Sequence, residues 1–215
     1  MARHPLWPLF DLRLATEHLE LRLATDDDIV ALADLARGGL HDPAHIPFLV
    51  DFCHIESPEY EIQFVQHHWG NRANWRVDDW TLSLAVVHDG EVIGNQGLRG
   101  HRFPELGEVD TGSWLGTDHR GRGFGREMRA AVLHFAFDTL GAARAVSGAR
   151  RGNEASLGVS RSLGYVPNGE KRVSFGGQVD IEVGLALDAD QWEAADRPAV
   201  DVTGFEPTRH LFGLR

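Results

Sequence analysis

The eight residues from 119 to 126, His-Arg-Gly-Arg-Gly-Phe-Gly-Arg, constrain the fold of this chain more than any other segment. A strand-like apolar stretch at residues 108–115 precedes them, and the strongest helical pattern of the sequence follows at residues 126–140. Glycines at positions 121, 123 and 125 let the backbone turn tightly and approach a ligand without a Cβ in the way. The N–H groups of such a turn, together with a helix N-terminus, attract anions. The segment therefore predicts a strand–loop–helix unit with an anion-binding loop.

Hydrophobic patterns on both sides of this unit predict the remaining elements. Strand patterns occupy residues 19–23, 81–87, 91–98, 144–149, 171–175 and 180–187, whereas helical patterns begin near residues 26, 59 and 153. Asp89-Gly90 and Gly176-Gly177 predict hairpin turns. Residues 41–58 indicate a loop over a site or a broken helix, and the tail after Trp192 has no pattern that places it. With 215 residues and no repeat or linker, the order β-α-α-β-β-β-α-β-α-β-β predicts one mixed α/β domain over residues 1–215.

Charge and cysteine content exclude several function classes. The chain carries 21 Lys and Arg against 32 Asp and Glu, and the resulting net charge of −11 repels nucleic acid. No apolar run reaches the ~18 residues of a membrane span, and the N-terminus lacks the apolar core of a secretory signal. The single cysteine, Cys53, fits a reducing cytoplasm and is expected to be a buried hydrophobe rather than an acyl carrier. His41 with His45 and His67 with His68 lack matched acids, so no metal site is predicted.

The glycine-rich loop departs from two common phosphate-binding motifs. It lacks the Gly-Lys-Ser/Thr end of a P-loop, and the dinucleotide pattern that starts at Gly121 fails at Arg126. A nucleotide-binding module is therefore disfavoured. Between residues 118 and 129, however, four arginines stand against two acids in an otherwise acidic protein. This local positive charge favours an anion ligand over a glycine-rich turn that merely connects strand to helix.

A second motif follows thirty residues after Gly123, in the sequence Asn-Glu-Ala-Ser-Leu-Gly-Val-Ser-Arg-Ser-Leu-Gly-Tyr at residues 153–165. Together the two motifs make residues 15–195 resemble the GCN5-related N-acetyltransferase (GNAT) superfamily. The first motif matches at Arg120, Gly123 and Gly125, and the second at Asn153, Ser156, Val159, Gly164 and Tyr165. Residues 110–115 are similar to a strand of the RimJ/RimL-like branch. Residues 7–11 and 128–133 are similar to actinobacterial members, a group that includes proposed users of succinyl-CoA.

The resemblance implies a GNAT fold, with a central, mixed but mostly antiparallel sheet that is splayed at the cofactor site and has helices on both faces. It implies direct transfer of an acetyl group, in a ternary complex, from acetyl-CoA to a primary amine such as a protein N-terminus or a small amine. Succinyl-CoA is the alternative donor, no metal is implied, and a homodimer is one assembly to consider. The implied cofactor contacts are Trp114, Leu115, Gly116, Arg120, Gly121, Arg122, Gly123, Phe124, Gly125, Arg126, Asn153, Ser156 and Ser160.

Few residues are candidates for catalysis. Ser156 matches the serine that the RimL-like branch places near the departing thiolate, and its alternative role is to satisfy the backbone of a first helical turn. Asp110 matches the family's strand carboxylate, which takes the proton of the amine, although this side chain is shorter and Glu108 is a rival. The N–H of Leu115 or of a neighbour would bind the oxyanion. A non-catalytic acyl-CoA sensor remains a competing hypothesis.

A succinyl donor would also require a cation near the acyl end to pair its terminal carboxylate. Four arginines are available in the sequence, and the sequence does not choose among them: Arg72, Arg76, Arg99 and Arg102.

Overall fold

The protein is described by a computed structural model over residues 4–38, 56–175, 178–193 and 197–214. In this part of the chain the strands are β1 (Arg13–Ala15), β2 (Glu20–Leu23), β3 (Asp79–His88), β4 (Glu91–His101), β5 (Glu108–Leu115), β6 (Arg144–Arg150), β7 (Val166–Phe175), β8 (Gln178–Asp188) and β9 (Asp201–Thr203). The α-helices are α1 (Asp26–Arg37), α2 (Glu59–Ala73), α3 (Phe103–Leu106), α4 (Phe124–His134), α5 (Glu154–Ser162) and α6 (Ala189–Glu193). The predicted loop or broken helix at residues 41–58 falls mostly outside the described residues, as do His41, His45, Cys53 and the Gly176-Gly177 turn.

The described strands form one sheet in the order β7-β8-β6-β5-β4-β3-β2-β1-β9. Every pairing is antiparallel except that between β5 and β6, which is parallel. Strand alternation divides the apolar side chains between the two faces, so Leu84 joins the main core with α4 and α5, whereas Ala85 packs with α1. The predicted GNAT fold, a mixed and mostly antiparallel sheet with helices on both faces, is therefore confirmed.

The parallel pair β5–β6 is short, and the two strands then diverge. Glu108–Asp110 pairs with Arg144–Val146, after which β5 continues along β4 and β6 continues along β8. Two side chains close the inner end of the divergence: Ser147 Oγ donates to the Thr111 carbonyl at 3.0 Å, and Thr111 Oγ1 donates to the Val146 carbonyl at 3.3 Å. Residues 111–115 of β5 and 147–150 of β6 therefore border a wedge-shaped space, which we call the gap.

The helix after the glycine loop differs from the single helix predicted at residues 126–140. It begins earlier, at Phe124, and after His134 it widens into a π-helix over Phe135–Thr139. The wider turn presents Asp138 to the C-terminal part of the chain, where its carboxylate accepts from Trp192 Nε1 at 3.1 Å and from Arg197 Nη1 at 2.8 Å. Tertiary hydrogen bonds thus accompany a departure from helical pattern that periodicity alone does not reveal.

The tail that the sequence could not place completes the core. β9 pairs with β1, and a 3-10 helix over Glu206–Phe212 follows it. Phe212 is fully buried and meets Trp80 edge-to-face at a centroid distance of 5.0 Å, with Phe135 at 5.6 Å. The described N- and C-terminal segments therefore join the same sheet and the same core.

Candidate functional site

The glycine-rich loop ends in a helix N-terminus that no side chain caps. Gly123 is the N-cap residue of α4, with φ +89° and ψ −18°, and Gly121 also has a positive φ of +71°. A Cβ built on either glycine would meet no atom within 4 Å, so the backbone there is open to a ligand. The Arg126 N–H already donates to the Gly123 carbonyl at 3.0 Å, whereas the N–H groups of Phe124 and Gly125 have no partner inside the helix and are available to a ligand in this open space. This arrangement fits a phosphate, as the sequence predicted.

The arginines of the loop have different surroundings. Arg120 Nε and Nη2 donate to the Leu115 carbonyl at 3.2 and 3.1 Å, which holds the loop against the end of β5, and burial lowers the pKa of this guanidinium. Arg122 is exposed and lies over the Phe124 ring at 4.7 Å. Its guanidinium is therefore held near the α4 N-terminus without a carboxylate within 4 Å among the described residues.

The backbone of β5 presents hydrogen-bonding groups to the gap. The N–H of Gly116 donates to the Ile93 carbonyl at 3.0 Å, so alternation along the strand turns the N–H groups of Ser113 and Leu115 away from β4 and toward the gap. The Leu115 side chain is buried in the main core, whereas the Trp114 side chain packs on the opposite face with the α1 cluster. Leu115 thus contributes backbone groups to the gap, whereas the Trp114 side chain lies on the face of the sheet that α1 covers.

The N-terminus of α5 carries the candidate acid. Asn153 Oδ1 accepts from the Ser156 N–H at 3.1 Å, which confirms the cap predicted for Asn153. The Ser156 hydroxyl is half-buried and makes no hydrogen bond within the described residues, so it is free to donate. Ser160, which the resemblance assigned to the cofactor contacts, is completely buried, and its hydroxyl donates to the Ser156 carbonyl at 3.1 Å. In this structure Ser160 has no surface with which to touch a cofactor.

The two candidate carboxylates of β5 differ in their partners. Glu108 lies 3.6 Å from Arg144 Nε, so its charge is already paired. Asp110 makes no hydrogen bond or ion pair with a described residue, although it lies opposite Arg99 of β4 and Val146 of β6. It keeps exposed surface, yet the walls of a cleft displace enough water to raise the pKa of its carboxyl. A raised pKa in an unpaired carboxyl is suited to proton transfer, which favours Asp110 over Glu108.

Asp110 lies in an open cleft of about 490 Å³ between β5, β6, β7 and β8. Besides Asp110, the ionisable side chains lining this cleft are Glu108, Arg144, Glu170, Lys171 and Glu182. Carboxylates therefore outnumber cations there by four to two. We call it the acidic cleft.

The four arginines considered for a succinyl carboxylate all have carboxylate partners. Arg72 contacts Asp26 at 2.7 Å, and Arg99 lies 3.5 Å from Asp79. Arg76 likewise pairs with Asp78 and Asp79, and Arg102 with Glu105.

Sequence reasoning missed Arg129 of α4, which it counted only in the charge of the loop region. The structure buries this side chain to 3% exposure, beneath the gap. Its Nη2 donates to Ser113 Oγ on β5 at 2.9 Å, and its Nη1 donates to Ser147 Oγ on β6 at 3.3 Å. The available signal was an arginine within the apolar run Met-Arg-Ala-Ala-Val-Leu at residues 128–133.

Metal binding and membrane crossing are two further classes of function on which the described residues bear. No group of three or more His, Cys, Asp or Glu side chains is arranged to hold a metal ion in this part of the chain. His67 and His68 are neighbours on α2, and burial lowers the pKa of His68 to about 4. No helix within the described ranges is long and apolar enough to cross a membrane.

Comparison with known proteins agrees with this geometry. A family model described as acetyltransferase (GNAT) domain matches residues 18–166. Mycobacterium smegmatis RimJ in complex with CoA-disulfide is similar in fold, with a TM-score of 0.69, 18% identity and coverage of 89% of this chain and 97% of that one. The ribosomal-protein-S5-alanine acetyltransferase of Vibrio fischeri gives a TM-score of 0.64 at 21% identity, with coverage of 84% and 98%. A GCN5-related N-acetyltransferase from Brucella melitensis gives 0.66 at 16% identity, with coverage of 85% and 80%.

Proposed function

Because the chain belongs to the acetyltransferase (GNAT) family, we propose that it transfers an acetyl group from acetyl-CoA directly to a primary amine that binds in the acidic cleft. The observation that carries this proposal is the convergence at one gap of three features. These are an uncapped helix N-terminus, strand N–H groups without a neighbouring strand, and an unpaired carboxylate whose pKa is raised. Each corresponds to one requirement of acyl transfer from a coenzyme A thioester.

The N-terminus of α4 and the gap suit the two ends of coenzyme A. The pyrophosphate would bind the N–H groups of residues 122–125, where the helix dipole and Arg122 supply positive charge. The pantetheine arm contains amides, so it can pair with the N–H groups that β5 turns toward the gap, as a peptide pairs with a strand edge. The N–H of Leu115 is then placed to bind the oxyanion that forms at the thioester carbon.

Ser156 is proposed as the proton donor to the departing thiolate. Its hydroxyl is free of other hydrogen bonds within the described residues, and it belongs to the first turn of α5, where the helix dipole favours negative charge. The cap residue Asn153 holds the Ser156 N–H and thereby fixes this turn. A positioned donor at this point would also keep the thiolate from attacking the product amide.

Asp110 is proposed as the general base, acting through a water molecule. An amine must lose its proton before it attacks, and a carboxyl whose pKa is raised accepts that proton more readily than an ordinary aspartate. The paired state of Glu108 leaves Asp110 as the better candidate. The excess of carboxylates in the acidic cleft would also attract a protonated amine before deprotonation.

A protein N-terminus or a small amine of low pKa is the favoured acceptor. Deprotonating a lysine of pKa ~10.4 at pH 7 costs about 4.6 kcal/mol, against about 1.2 kcal/mol for an α-amine of pKa ~7.9. Acetyl is the favoured donor because the four arginines considered for succinyl already pair with carboxylates. We place the reaction in the cytoplasm because a single cysteine fits a reducing compartment.

Release of free thiol from acetyl-CoA in the presence of a panel of amines tests the proposal. The panel should contain peptides with free N-termini, the same peptides with blocked N-termini and an internal lysine, and small polyamines. Amine-dependent thiol release that Asp110→Asn slows supports acyl transfer. A protein that binds acetyl-CoA by calorimetry but releases no thiol with any amine would instead be an acyl-CoA sensor, and the proposed reaction would be wrong.

A further inference from the structure

Among the described residues, Arg129 is the one lysine or arginine that is almost wholly buried. A buried cation normally has a carboxylate partner, because removing an unpaired charge from water is costly. No carboxylate of the described residues lies within 4 Å of the Arg129 guanidinium, and its Nε is buried without a hydrogen-bond partner. Its hydrogen-bond partners are two serine hydroxyls from two different strands and the buried Tyr165 hydroxyl, which also contacts Thr111 Oγ1 at 3.2 Å. Because burying a guanidinium without a carboxylate partner costs free energy, the position of Arg129 at the inner end of the gap calls for a functional explanation.

The two serines show where the charge is held. Ser113 lies on β5 three residues beyond Asp110, and Ser147 lies on β6 one residue beyond Val146, which is paired with Asp110. The guanidinium therefore spans β5 and β6 immediately after their last paired residues. Because Ser147 also donates to the Thr111 carbonyl, these hydrogen bonds form one continuous network across the inner end of the gap.

The position of Arg129 gives it an electrostatic partner on the other face of the sheet. Asp110 is a carboxylate without an ion pair among the described residues, and Arg129 is a cation without one. Several other titratable groups surround Asp110, namely Arg99 on β4, Arg144 on β6 with Glu108, Glu170 and Lys171 on β7 with Glu182 on β8, and the buried Tyr165 just before β7. Most of them already form ion pairs, as Lys171 does with Glu182 at 3.0 Å and Arg99 with Asp79 at 3.5 Å.

We propose that Arg129 is a positioning residue of the acyl-transfer site, whose guanidinium, fixed between Ser113 and Ser147 across the gap, supplies the positive charge against which Asp110 ionises. This inference rests on the proposed role of Asp110 as general base. Desolvation alone would raise the pKa of Asp110, and Arg129 is the largest opposing charge, ahead of Arg99. Without that charge the base would stay protonated over more of the pH range. With it, the carboxyl is ionised and still basic enough to accept a proton.

A direct titration of Asp110 tests the effect of Arg129 on the pKa of Asp110 without depending on the proposed acyl transfer. The Asp110 carboxyl is followed by carbon-13 NMR in the unliganded protein, in wild type and in Arg129→Met, Arg129→Gln and Arg129→Lys. We expect the two neutral variants to raise the pKa of Asp110 and the charge-keeping lysine to leave it near the wild-type value. Ser113→Ala, which removes one hydrogen bond but keeps the charge, should shift it much less. An unchanged titration in a folded neutral variant, or an equal shift in Arg129→Lys, would overturn the proposal.

Kinetics then distinguish failure of the inference from failure of the function. If Asp110 is the base, the acid limb of the kcat/KM profile moves to higher pH in the neutral variants and not in Arg129→Lys. If Asp110→Asn keeps the wild-type profile, the base has been misassigned, yet the NMR titration still reports whether Arg129 acts on Asp110. Because the guanidinium is covered, Arg129→Met should change kcat/KM for acetyl-CoA and succinyl-CoA by the same factor. A selective loss with succinyl-CoA would contradict the positioning role and make Arg129 an acyl-recognition residue.

Discussion

Replacing Gly123 with aspartate tests the anion-binding role of the loop, because the structure separates the expected loss of stability from the loss of binding. Gly123 has φ +89°, and an added Cβ meets no atom within 4 Å. The cost to folding is therefore the backbone cost of a positive φ, about 1–2 kcal/mol for a residue with a side chain. In a protein of this size each kcal/mol lowers Tm by about 2–4 °C, so the expected fall is about 2–8 °C.

The binding cost comes from charge. An aspartate at the N-cap would bring its carboxylate within about 6 Å of two phosphate charges, and even at a dielectric constant of ~80 this repulsion is about 1.4 kcal/mol. The dissociation constant of acetyl-CoA should thus rise at least about tenfold. Gly123→Asn, which has a similar side chain without the charge, should lose less. Isothermal titration calorimetry on both variants measures the difference.

Gly141→Asp is the matched control. Gly141 has φ +73°, its added Cβ also meets no atom within 4 Å, and it lies beyond the other end of the same helical segment, about 25 Å away at the rise of an α-helix. It should lose at least as much stability, because a carboxylate at the C-terminal end of a helix opposes the helix dipole, and it should lose no affinity. If folded Gly123→Asp binds acetyl-CoA as well as Gly141→Asp does, the loop does not hold the phosphates.

Four further outcomes follow from the site. Ser156→Ala should lower kcat by about 10²–10⁴-fold with little change in acetyl-CoA affinity. Ser162→Ala, at an exposed serine of the same helix, should leave kcat unchanged. Equal kcat values in the two variants would show that Ser156 is not the proton donor. Asp110→Asn should raise Tm at neutral pH. The pKa of Asp110 is higher in the folded protein than the unfolded value of 3.8, so the wild-type protein loses stability as pH rises between these two pKa values. The gain in Tm should vanish in melts at a pH below 3.8, where the carboxyl is protonated in both states. Burial lowers the pKa of His68 to about 4, so the unfolded chain binds that proton before the folded protein does. The free energy of unfolding should therefore fall by about 3 kcal/mol as pH falls from 6.5 to 4. In His68→Gln the denaturant midpoint should decrease less steeply over the same pH range. Acetyl-CoA should exceed succinyl-CoA in kcat/KM by at least about tenfold with the same amine, and a preference for succinyl-CoA would require a cation that pairs its carboxylate.

Local patterns predicted the elements around the gap because each has a strong signal of its own. The alternation predicted at residues 19–23 appears as β2 at Glu20–Leu23, and the Asp-Gly turn and the Asn153 cap appear in the structure where the sequence placed them. β7 was predicted to begin at residue 171 but begins at Val166, because Pro167 and Gly169 interrupt its alternation and lie at a bulge against β8. β1 and β9 are three residues each, too short for a period to be visible.

The remaining differences arise from contacts between distant parts of the chain. Nothing near Phe212 in sequence indicates that it will meet Trp80, since the contact forms only when the tail folds back. The π-helix at Phe135–Thr139 is likewise associated with partners more than fifty residues away. Arg129 was counted only in the positive charge of residues 118–129, because local sequence does not reveal that α4 is buried on nearly all sides.

The single parallel pairing among the described strands explains why the proposed chemistry gathers at one place. Parallel neighbours need a crossover connection, which α4 and the turn after it provide between β5 and β6. The crossover helix begins where β5 ends, and α5 begins where β6 ends, so both N-termini lie at the edge of the sheet where the two strands diverge. One N-terminus is bare and suits a diphosphate, whereas the other is capped by Asn153 and presents the Ser156 hydroxyl. Asp110 is the last β5 residue paired with β6, which places the proposed base at the inner end of the same gap. The order strand, loop, helix, strand, loop, helix therefore already brings the proposed cofactor loop, acid and base to one end of the β5–β6 pair, whereas the buried charge of Arg129 beneath them emerges only from the packing of α4 against the sheet.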